Sequence, residues 1–341
     1  MADKILIDRL SHCRYGHTDL QKAKKFFIDF GLIVEKETDE KIYFRGFGKD
    51  AVVYVAEQTH DGKRRFLGGG WIVQSLADLE KAAKVPGATP VHDYEGPGGG
   101  KCVIMPDIMG EDITLIWGQT DRTIDEREAP KPVKWNTWED KRRYGEFQRP
   151  ERASPSKVHK LGHYGFEVDV SRLPEVVDWY CKTFNLKETD SLRHEQSGKI
   201  IMTFIHIDKG KEYVDHHNIF IAGGPIGEGI KAHHSSFEVD DMDSQLVGHH
   251  HLQKQGWINV FGLGRHVLGS QIFDYWFDSS GFLVEHYVDG DLVNEDKPHE
   301  FEPATAATVA SWGPDIPRAF FSKKLEDVPG LTDIPVVPAE A

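Results

Sequence analysis

The stretch Leu161-Gly-His-Tyr-Gly-Phe-Glu-Val168 decides the fold, because together with Leu173–Leu186 it repeats an earlier part of the chain. Its polar and apolar residues alternate as in a half-buried strand, and the apolar residues of the following segment recur at the spacing of an amphipathic helix. Leu10–Asp19 and Leu20–Leu32 show the same order near the N-terminus. Each half of the chain is therefore predicted to begin with a strand, a polar break and a helix.

The segments after each first helix also correspond. In the first half we predict two strands, a second helix and a closing strand at Lys41–Arg45, Ala51–Ala56, Ser75–Lys84 and Gly110–Gly118. In the second half the same order falls at Lys199–His206, Asn218–Ala222, Asp243–Gln255 and Gln271–Val288, the last of these interrupted by a turn. This order predicts an α+β protein of two tandem modules, each built from paired βαβββ motifs.

Four parts of the chain follow from this pattern. We predict an N-terminal module at 1–118, a charged linker at 119–158, a C-terminal module at 159–291 and an extended C-terminal arm at 292–341. The linker is long for a plain connector, so we expect it to wrap a surface or to be ordered in part. The arm is rich in proline and lacks periodicity, which leaves open a role in oligomer contacts or a frayed tail.

The composition excludes several classes of protein. A formal net charge of −14 argues against binding to nucleic acid or to an anionic membrane surface. No stretch resembles a secretory signal, and no window reaches the ~18 apolar residues of a membrane span. The three cysteines have no paired spacing, which argues against a disulfide framework or a thiolate zinc site. We therefore expect a soluble cytoplasmic protein.

A carboxylate stands out in the predicted strand Gly281–Val288. Phe282, Val284 and Val288 share one parity, which indicates the core face, and Glu285 lies on the opposite parity between apolar neighbours. A carboxylate in such surroundings is costly unless it is paired or bound to a metal ion. Glu285 is therefore a candidate metal ligand.

Histidine occupies the same kind of position in two other predicted strands. His163 lies opposite the apolar face of its strand, and Phe237 and Val239 place His234 on the polar face and His233 on the buried side of theirs. The chain holds 18 histidines, and histidine is the commonest metal ligand. Two histidines and one carboxylate on polar strand faces predict a facial iron site.

A block near the end of the second module has a recognisable order. Gly264-Arg-His266 is followed by Phe273-Asp-Tyr-Trp-Phe-Asp-Ser-Ser-Gly281 and then by Val284-Glu-His-Tyr287. These pieces resemble the closing segment of the vicinal oxygen chelate superfamily and, within it, the type I extradiol (catechol meta-cleaving) dioxygenases. The resemblance covers roughly residues 7–118 and 159–290, and Ser279 departs from the proline that is common at its position.

The resemblance implies a fold, a metal site and a reaction. The fold is two tandem vicinal oxygen chelate modules, each forming a curved mixed sheet around a metal site. The implied metal ligands are His163, His234 and Glu285, holding Fe(II), with Mn(II) as the main alternative. With O₂ as co-substrate, the protein opens a substituted catechol beside its vicinal diol. The expected partner is a small aromatic diol, and family members are usually homo-oligomers.

Three further residues match family positions around the metal. His217 matches the histidine that acts on the oxygen-binding side and transfers protons, with its neighbour His216 as the competing candidate. Tyr275 resembles the tyrosine that hydrogen-bonds the substrate oxygen. His266 resembles the histidine that contacts the same catecholate. These three are the expected catalytic residues, and His266 and Tyr275 also bind substrate.

The sequence leaves several alternatives open. In the first module His12 is equivalent to His163, but Gly68 and Thr114 fall where the other ligands would be, so we expect that module to be non-catalytic. A glyoxalase or epimerase type of metalloenzyme is one alternative function, and a metal-free small-molecule-binding protein is another. For His249–His251 we expect a solvated helix face.

Overall fold

Two mixed β-sheets organise the protein. The computed structural model describes residues 4–125, 128–131, 134–145 and 153–328. The predicted linker at 119–158 and the predicted arm at 292–341 therefore lie partly outside the described residues. Within those ranges, no helix is long and apolar enough to cross a membrane.

The first sheet has eight strands in the order β2-β3-β4-β1-β5-β8-β7-β6. Its elements are β1 (Ile7–His17), α1 (Leu20–Phe30), β2 (Ile33–Glu37), β3 (Lys41–Arg45), β4 (Tyr54–Gln58), β5 (Arg65–Val73), α2 (Leu76–Ala82), β6 (His92–Asp93), β7 (Lys101–Pro106) and β8 (Asp112–Trp117). Each half of this series is one βαβββ motif, and the two motifs meet at the antiparallel pair of β1 and β5.

The second sheet has ten strands in the order β19-β10-β11-β13-β9-β14-β17-β16-β15-β20. The main elements of this half are β9 (Val158–Asp169), α3 (Leu173–Thr183), β10 (Leu186–Arg193), β11 (Ile200–Ile207), β12 (Val214–Asp215), β13 (Ile219–Gly224), β14 (Lys231–Val239), α4 (Met242–Lys254), β15 (Ile258–His266), β16 (Ile272–Phe277) and β17 (Leu283–Val288). Strand β12 lies outside the ten-stranded sheet. The motifs again meet at an antiparallel pair, β9 with β14. The predicted α+β fold of paired βαβββ motifs is confirmed.

The C-terminal arm adds elements that the sequence pattern did not predict. They are β18 (Leu292–Val293), β19 (Glu300–Pro303), α5 (Ala306–Val309), β20 (Ala310–Trp312), α6 (Arg318–Ser322) and a single 3₁₀ turn (Leu325–Asp327). Strand β19 pairs with β10 and β20 pairs with β15, so the arm spans the second sheet from one edge to the other.

Local chemistry explains the helix ends. The Asp19 side chain accepts a hydrogen bond from the backbone N–H of Lys22 and begins α1. Gly31 ends this helix at a φ of 111°, and a Cβ there would lie 2.1 Å from the Ser156 carbonyl oxygen, so only glycine fits. Helix α3 ends three residues before the end of the predicted segment Leu173–Leu186.

The two modules share one apolar core. His286, on the core face of β17, donates from Nε2 to the Phe30 carbonyl oxygen at 2.7 Å, and its ring stacks on Phe30. Trp71 of the first sheet donates from Nε1 to the Tyr164 hydroxyl at 3.1 Å. Both contacts join the modules through their buried faces, which leaves the opposite face of the second sheet for the site.

The expectation of a solvated face for His249–His251 is wrong at two of its positions. His249 Nδ1 lies 3.0 Å from Asp274 Oδ1, and His251 Nε2 lies 3.3 Å from Asp29 Oδ1. Only His250 is exposed. Helix α4 packs against both the second sheet and α1, so these two histidines bind buried or half-buried carboxylates instead of water.

Candidate metal centre and its cavity

Strand register brings the predicted ligands onto one face of the second sheet. Ser236 on β14 pairs with His163 on β9 and with Glu285 on β17, and paired residues point to the same face. His234 lies two residues before Ser236 on that face. Because Ser236 is small, the three longer side chains converge above it.

The spacing of the three ligand atoms fits one face of an octahedron. His163 Nε2 lies 3.1 Å from His234 Nε2, and Glu285 Oε2 lies 3.2 Å from the former and 3.3 Å from the latter. Ligands at adjacent octahedral positions, each about 2.1 Å from a divalent ion, are about 3.0 Å apart. The three atoms therefore have the separation that a facially bound cation requires.

The electrostatics of this group also suit a cation. Glu285 is 1 % exposed, and neither of its oxygens has a hydrogen-bond partner among the described residues. Burial opposes its ionisation, but the imidazoles of His163 and His234 hold the pKa of Glu285 well below its usual value. Burial lowers the pKa of His234 to about 4, which leaves the neutral imidazole that binds metals. A buried, unsatisfied carboxylate beside a neutral imidazole is the donor set that a divalent metal ion completes.

His233 does not lie where the parity pattern predicted. A register shift between Ala232 and His234 interrupts the pairing of β14 with β9, so strict alternation fails at this residue. His233 instead lies against Phe220 and Phe320 on the cavity side, with its Nδ1 2.9 Å from His234 Nδ1. The prediction that His233 faces the core is wrong.

The two candidate proton-transfer histidines take different positions. His217 lines the cavity, and its ring centroid is 4.1 Å from that of His163. His216 lies behind it, away from the cavity, and contacts His217 through Nδ1 at 3.0 Å. Burial, followed by the neighbouring His163 and His216, lowers the pKa of His217 well below its usual value. His217 is thus the one of this pair that reaches the site.

Tyr275 and His266 form the other side of the site. Tyr275 on β16 pairs with Glu285, and its hydroxyl lies 2.9 Å from His266 Nε2. His266 ends β15, and its Nδ1 contacts the Val309 carbonyl oxygen at 2.8 Å. Burial, together with the charge of Glu285, raises the pKa of Tyr275 well above its usual value. Both side chains therefore offer polar atoms to a molecule bound at the triad.

These residues open into a cavity of about 340 Å³. One wall comes from the second sheet, and another comes from the C-terminal arm: Ala304, Thr305, Ala306, Thr308, Val309, Ile316, Phe320 and Phe321. Sequence reasoning missed this second wall, because the arm has no periodic pattern that assigns it to a surface. It also missed Glu167, whose place on the same strand parity as His163 was the available signal.

The first module keeps one histidine at the equivalent place. Gly70 pairs with both His12 and Thr114, as Ser236 pairs with His163 and Glu285. His12 Nδ1 contacts the Ser11 hydroxyl at 2.9 Å, and burial lowers the pKa of His12 to about 3. No carboxylate takes the position of Thr114. Over the described ranges, a metal-competent group of three residues is found only at His163, His234 and Glu285.

Paired βαβββ sheets with this triad define the vicinal oxygen chelate class. Residues 160–286 match the sequence model of the Glyoxalase/Bleomycin resistance protein/Dioxygenase superfamily. The chain is similar to Metapyrocatechase 2 of Cupriavidus necator, with 28 % identity over 327 residues, 92 % of this chain and 91 % of that protein. The resemblance predicted from the sequence is thereby confirmed.

Two solved structures share the fold. A mutant of homoprotocatechuate 2,3-dioxygenase from Brevibacterium fuscum has a TM-score of 0.73 at 17 % identity, covering 94 % of this chain and 84 % of that one. The Mn(II)-bound glyoxalase from Novosphingobium aromaticivorans has a TM-score of 0.72 at 18 % identity, covering 92 % and 93 %. Since both kinds of enzyme share this architecture, the site and not the fold must distinguish between them.

Proposed function

We propose that this protein is a non-haem Fe(II)-dependent extradiol dioxygenase that opens a substituted catechol beside its vicinal diol and inserts both atoms of O₂. The observation that carries the proposal is the octahedral-face spacing of His163, His234 and Glu285 in a largely apolar cavity. The similarity to a metapyrocatechase over nearly the whole chain supports the same reaction.

The three ligands leave one face of the metal open. His163, His234 and Glu285 would hold the ion, and when bound it would supply the electronic route between an electron-rich catechol ring and O₂. The reaction balances without another reductant. One ring C–C bond and the O–O bond break, each cleaved carbon gains one oxygen atom, and the catechol itself is oxidised while O₂ is reduced.

The protein's own residues orient the substrate and move protons. The Tyr275 hydroxyl and His266 Nε2, 2.9 Å apart, hydrogen-bond one catechol oxygen and hold the ring in one orientation. His217 lies beside His163, across the site from them. It accepts a proton from the substrate on the side where oxygen reacts, and it later donates that proton back. The apolar wall excludes water, which strengthens these polar contacts.

Other parts of the proposal concern the whole chain. The module at 1–118 is a non-catalytic partner that contributes core contacts, and the module at 159–291 carries the site. The protein acts in the cytoplasm as a homo-oligomer. Size-exclusion chromatography with light scattering measures the oligomeric state directly, and a monomer at micromolar concentration would contradict that part.

Anaerobic purification followed by metal analysis tests the proposal. The expected result is one Fe(II) or Mn(II) per chain and, on addition of catechol, equal uptake of O₂ and formation of a yellow ring-cleavage product. Glu285→Gln should lose the metal, whereas the matched variant His12→Asn, at the equivalent position of His163 in the other module, should retain it. Bound metal without O₂ uptake would favour the glyoxalase or epimerase alternative, and absence of metal would favour a metal-free binding protein.

A further inference from the structure

The wall of the cavity away from the metal is apolar. Leu192, Ile201, Met202, Phe204, Val309 and Phe320 supply most of it. Among the described residues that line the cavity, none is lysine or arginine. A negatively charged group on a bound molecule would therefore find no cation to replace the water that it loses.

The one carboxylate of this wall outside the triad is Glu167, and its charge is already paired. Its Oε1 accepts from Lys323 Nζ, and Lys231 Nζ lies 3.9 Å from Oε2. Lys323 is 7 % exposed, and burial lowers its pKa against the opposing effect of Glu167. The nearest cations therefore already face a carboxylate of the protein, so Lys323 is not free to pair with a carboxylate of a bound molecule.

The position of Glu167 puts the pair that it forms with Lys323 within reach of a substituent. On β9 the residues that face the cavity alternate, so His163, Gly165 and Glu167 share one parity. Glu167 is four residues beyond the ligand His163, about 13 Å along an extended strand. Most of the side chains that line the cavity between the triad and Glu167 are apolar.

We propose, on the basis of the proposed ring-cleavage function, that the substrate is a catechol with an uncharged, apolar substituent, and that this wall rejects catechols with a carboxylate substituent. The rejection comes from desolvation: an unpaired carboxylate in an apolar cavity costs several kcal/mol. An alkyl or aryl group gains from the same burial.

A matched pair of ligands tests this inference. 4-Ethylcatechol and 3,4-dihydroxyphenylacetate differ by a terminal methyl or carboxylate on the same ring position. Anaerobic calorimetry with the metal-loaded protein should give a Kd at least 100-fold lower for 4-ethylcatechol, and kcat/KM for ring cleavage should differ in the same direction. Equal or tighter binding of 3,4-dihydroxyphenylacetate would overturn the inference. If neither compound is cleaved, the ring-cleavage proposal fails, while the calorimetry still decides the preference of the wall.

A charge substitution tests whether Glu167 contributes. Glu167→Gln leaves the Lys323 ammonium without its carboxylate partner and so available to a bound carboxylate, and the ratio of the two dissociation constants should narrow at least 10-fold. Glu188→Gln is the matched control, because Glu188 on β10 contacts His299 instead of the cavity. An unchanged ratio in Glu167→Gln would show that this carboxylate does not set the preference.

A second, independent feature lies behind His217. His216 Nδ1 is 3.0 Å from His217 Nδ1, and His216 Nε2 is 2.7 Å from Asp190 Oδ2. Lys297 Nζ donates to the other oxygen of Asp190 at 3.0 Å. Asp190 is 2 % exposed and His216 is 3 % exposed, so water does not compete for these contacts.

The direction of the hydrogen bonds between Asp190, His216 and His217 follows from the charge of Asp190. Burial opposes ionisation of Asp190, but hydrogen bonds from His216 and Lys297 lower its pKa, so it accepts as a carboxylate. In the tautomer that donates from Nε2 to this carboxylate, His216 presents a bare Nδ1. His217 donates to it from its own Nδ1, which leaves His217 Nε2 free of a proton.

We infer that Asp190 and His216 are positioning residues that hold His217 in the tautomer whose Nε2 can accept a proton. Groups that orient a functional histidine typically contribute 10- to 100-fold to activity. Because these groups do not touch the substrate, their effect should appear in kcat and not in the Kd for substrate.

The variant Asp190→Asn tests this role, because its amide can donate to His216 and reverse the order of donors. We expect kcat for ring cleavage to fall about 10- to 100-fold, with metal content retained and the anaerobic Kd for 4-ethylcatechol changed less than threefold. Asp215→Asn is the control: Asp215 is adjacent to His216 but contacts Lys160, and its variant should keep kcat within twofold. An unchanged kcat in Asp190→Asn, or an equal loss of substrate binding, would overturn the inference.

Discussion

Acid should destabilise the metal-free protein through buried neutral histidines, and His12 offers the clearest case. It is 1 % exposed, and burial, followed by the charges of Arg14 and Lys41, lowers its pKa from 6.5 to about 3. The folded state therefore disfavours the proton that the unfolded chain binds below pH 6.5. The contribution of neutral His12 to the free energy of unfolding is complete above pH 6.5 and is lost as the pH falls towards 3.

The size of the effect follows from these two pKa values. Between pH 7.5 and pH 5 the unfolded chain gains about 2 kcal/mol from protonating this one histidine, while the folded protein gains almost nothing. His12→Asn removes the titrating group. The variant is less stable overall because it loses packed volume. From pH 7.5 to pH 5, however, its free energy of unfolding should fall about 2 kcal/mol less than that of the unmodified protein.

Urea unfolding of the metal-free protein at pH 7.5 and pH 5 measures the difference. His60→Asn is the matched control, since the His60 side chain is 73 % exposed and its variant should follow the unmodified protein. The comparison uses the change between the two pH values, so a general loss of stability in the variant cancels. Equal pH dependence in His12→Asn and the unmodified protein would refute the reasoning.

Three further changes address the site and the core. His217→Asn should retain metal and anaerobic substrate affinity but slow O₂ uptake about 100-fold; loss of metal on elemental analysis would contradict the division of roles. Tyr275→Phe should raise the Kd for 4-ethylcatechol about 3- to 10-fold by calorimetry, since it removes a hydrogen bond worth about 1 kcal/mol; an unchanged Kd would mean that the hydroxyl does not contact substrate. His286→Leu should lower the free energy of unfolding by about 2–4 kcal/mol, because the Phe30 carbonyl oxygen loses its donor; a change below 1 kcal/mol in urea unfolding would contradict this.

Local patterns predicted several elements of the first module, because these elements carry their own signals. Period-3.6 spacing predicted α1, and alternation predicted the strand at Lys41–Arg45 as the structure has it. The strand predicted at Ala51–Ala56 instead begins at Tyr54, since the approach to it is an irregular turn. Boundaries of this kind depend on pairing partners that a local pattern does not contain.

The C-terminal arm shows where sequence reasoning stopped. Its short strands β19 and β20 exist through hydrogen bonds to β10 and β15, more than 40 residues away, so no local periodicity marks them. His233 is a second example. Alternation put it on the core side, but a register shift in β14 turns it to the cavity, and such shifts depend on the fit between strands.

The sequence by itself determined the paired motifs and the three residues that point away from the core, because face and period are properties of one strand or helix. The tertiary structure alone decided that His163, His234 and Glu285 lie within 3.3 Å of one another. It also decided that His217 and not His216 reaches the cavity, and that the arm supplies a second, largely apolar wall. These outcomes depend on which strands become neighbours and in what register, and non-local hydrogen bonds set both.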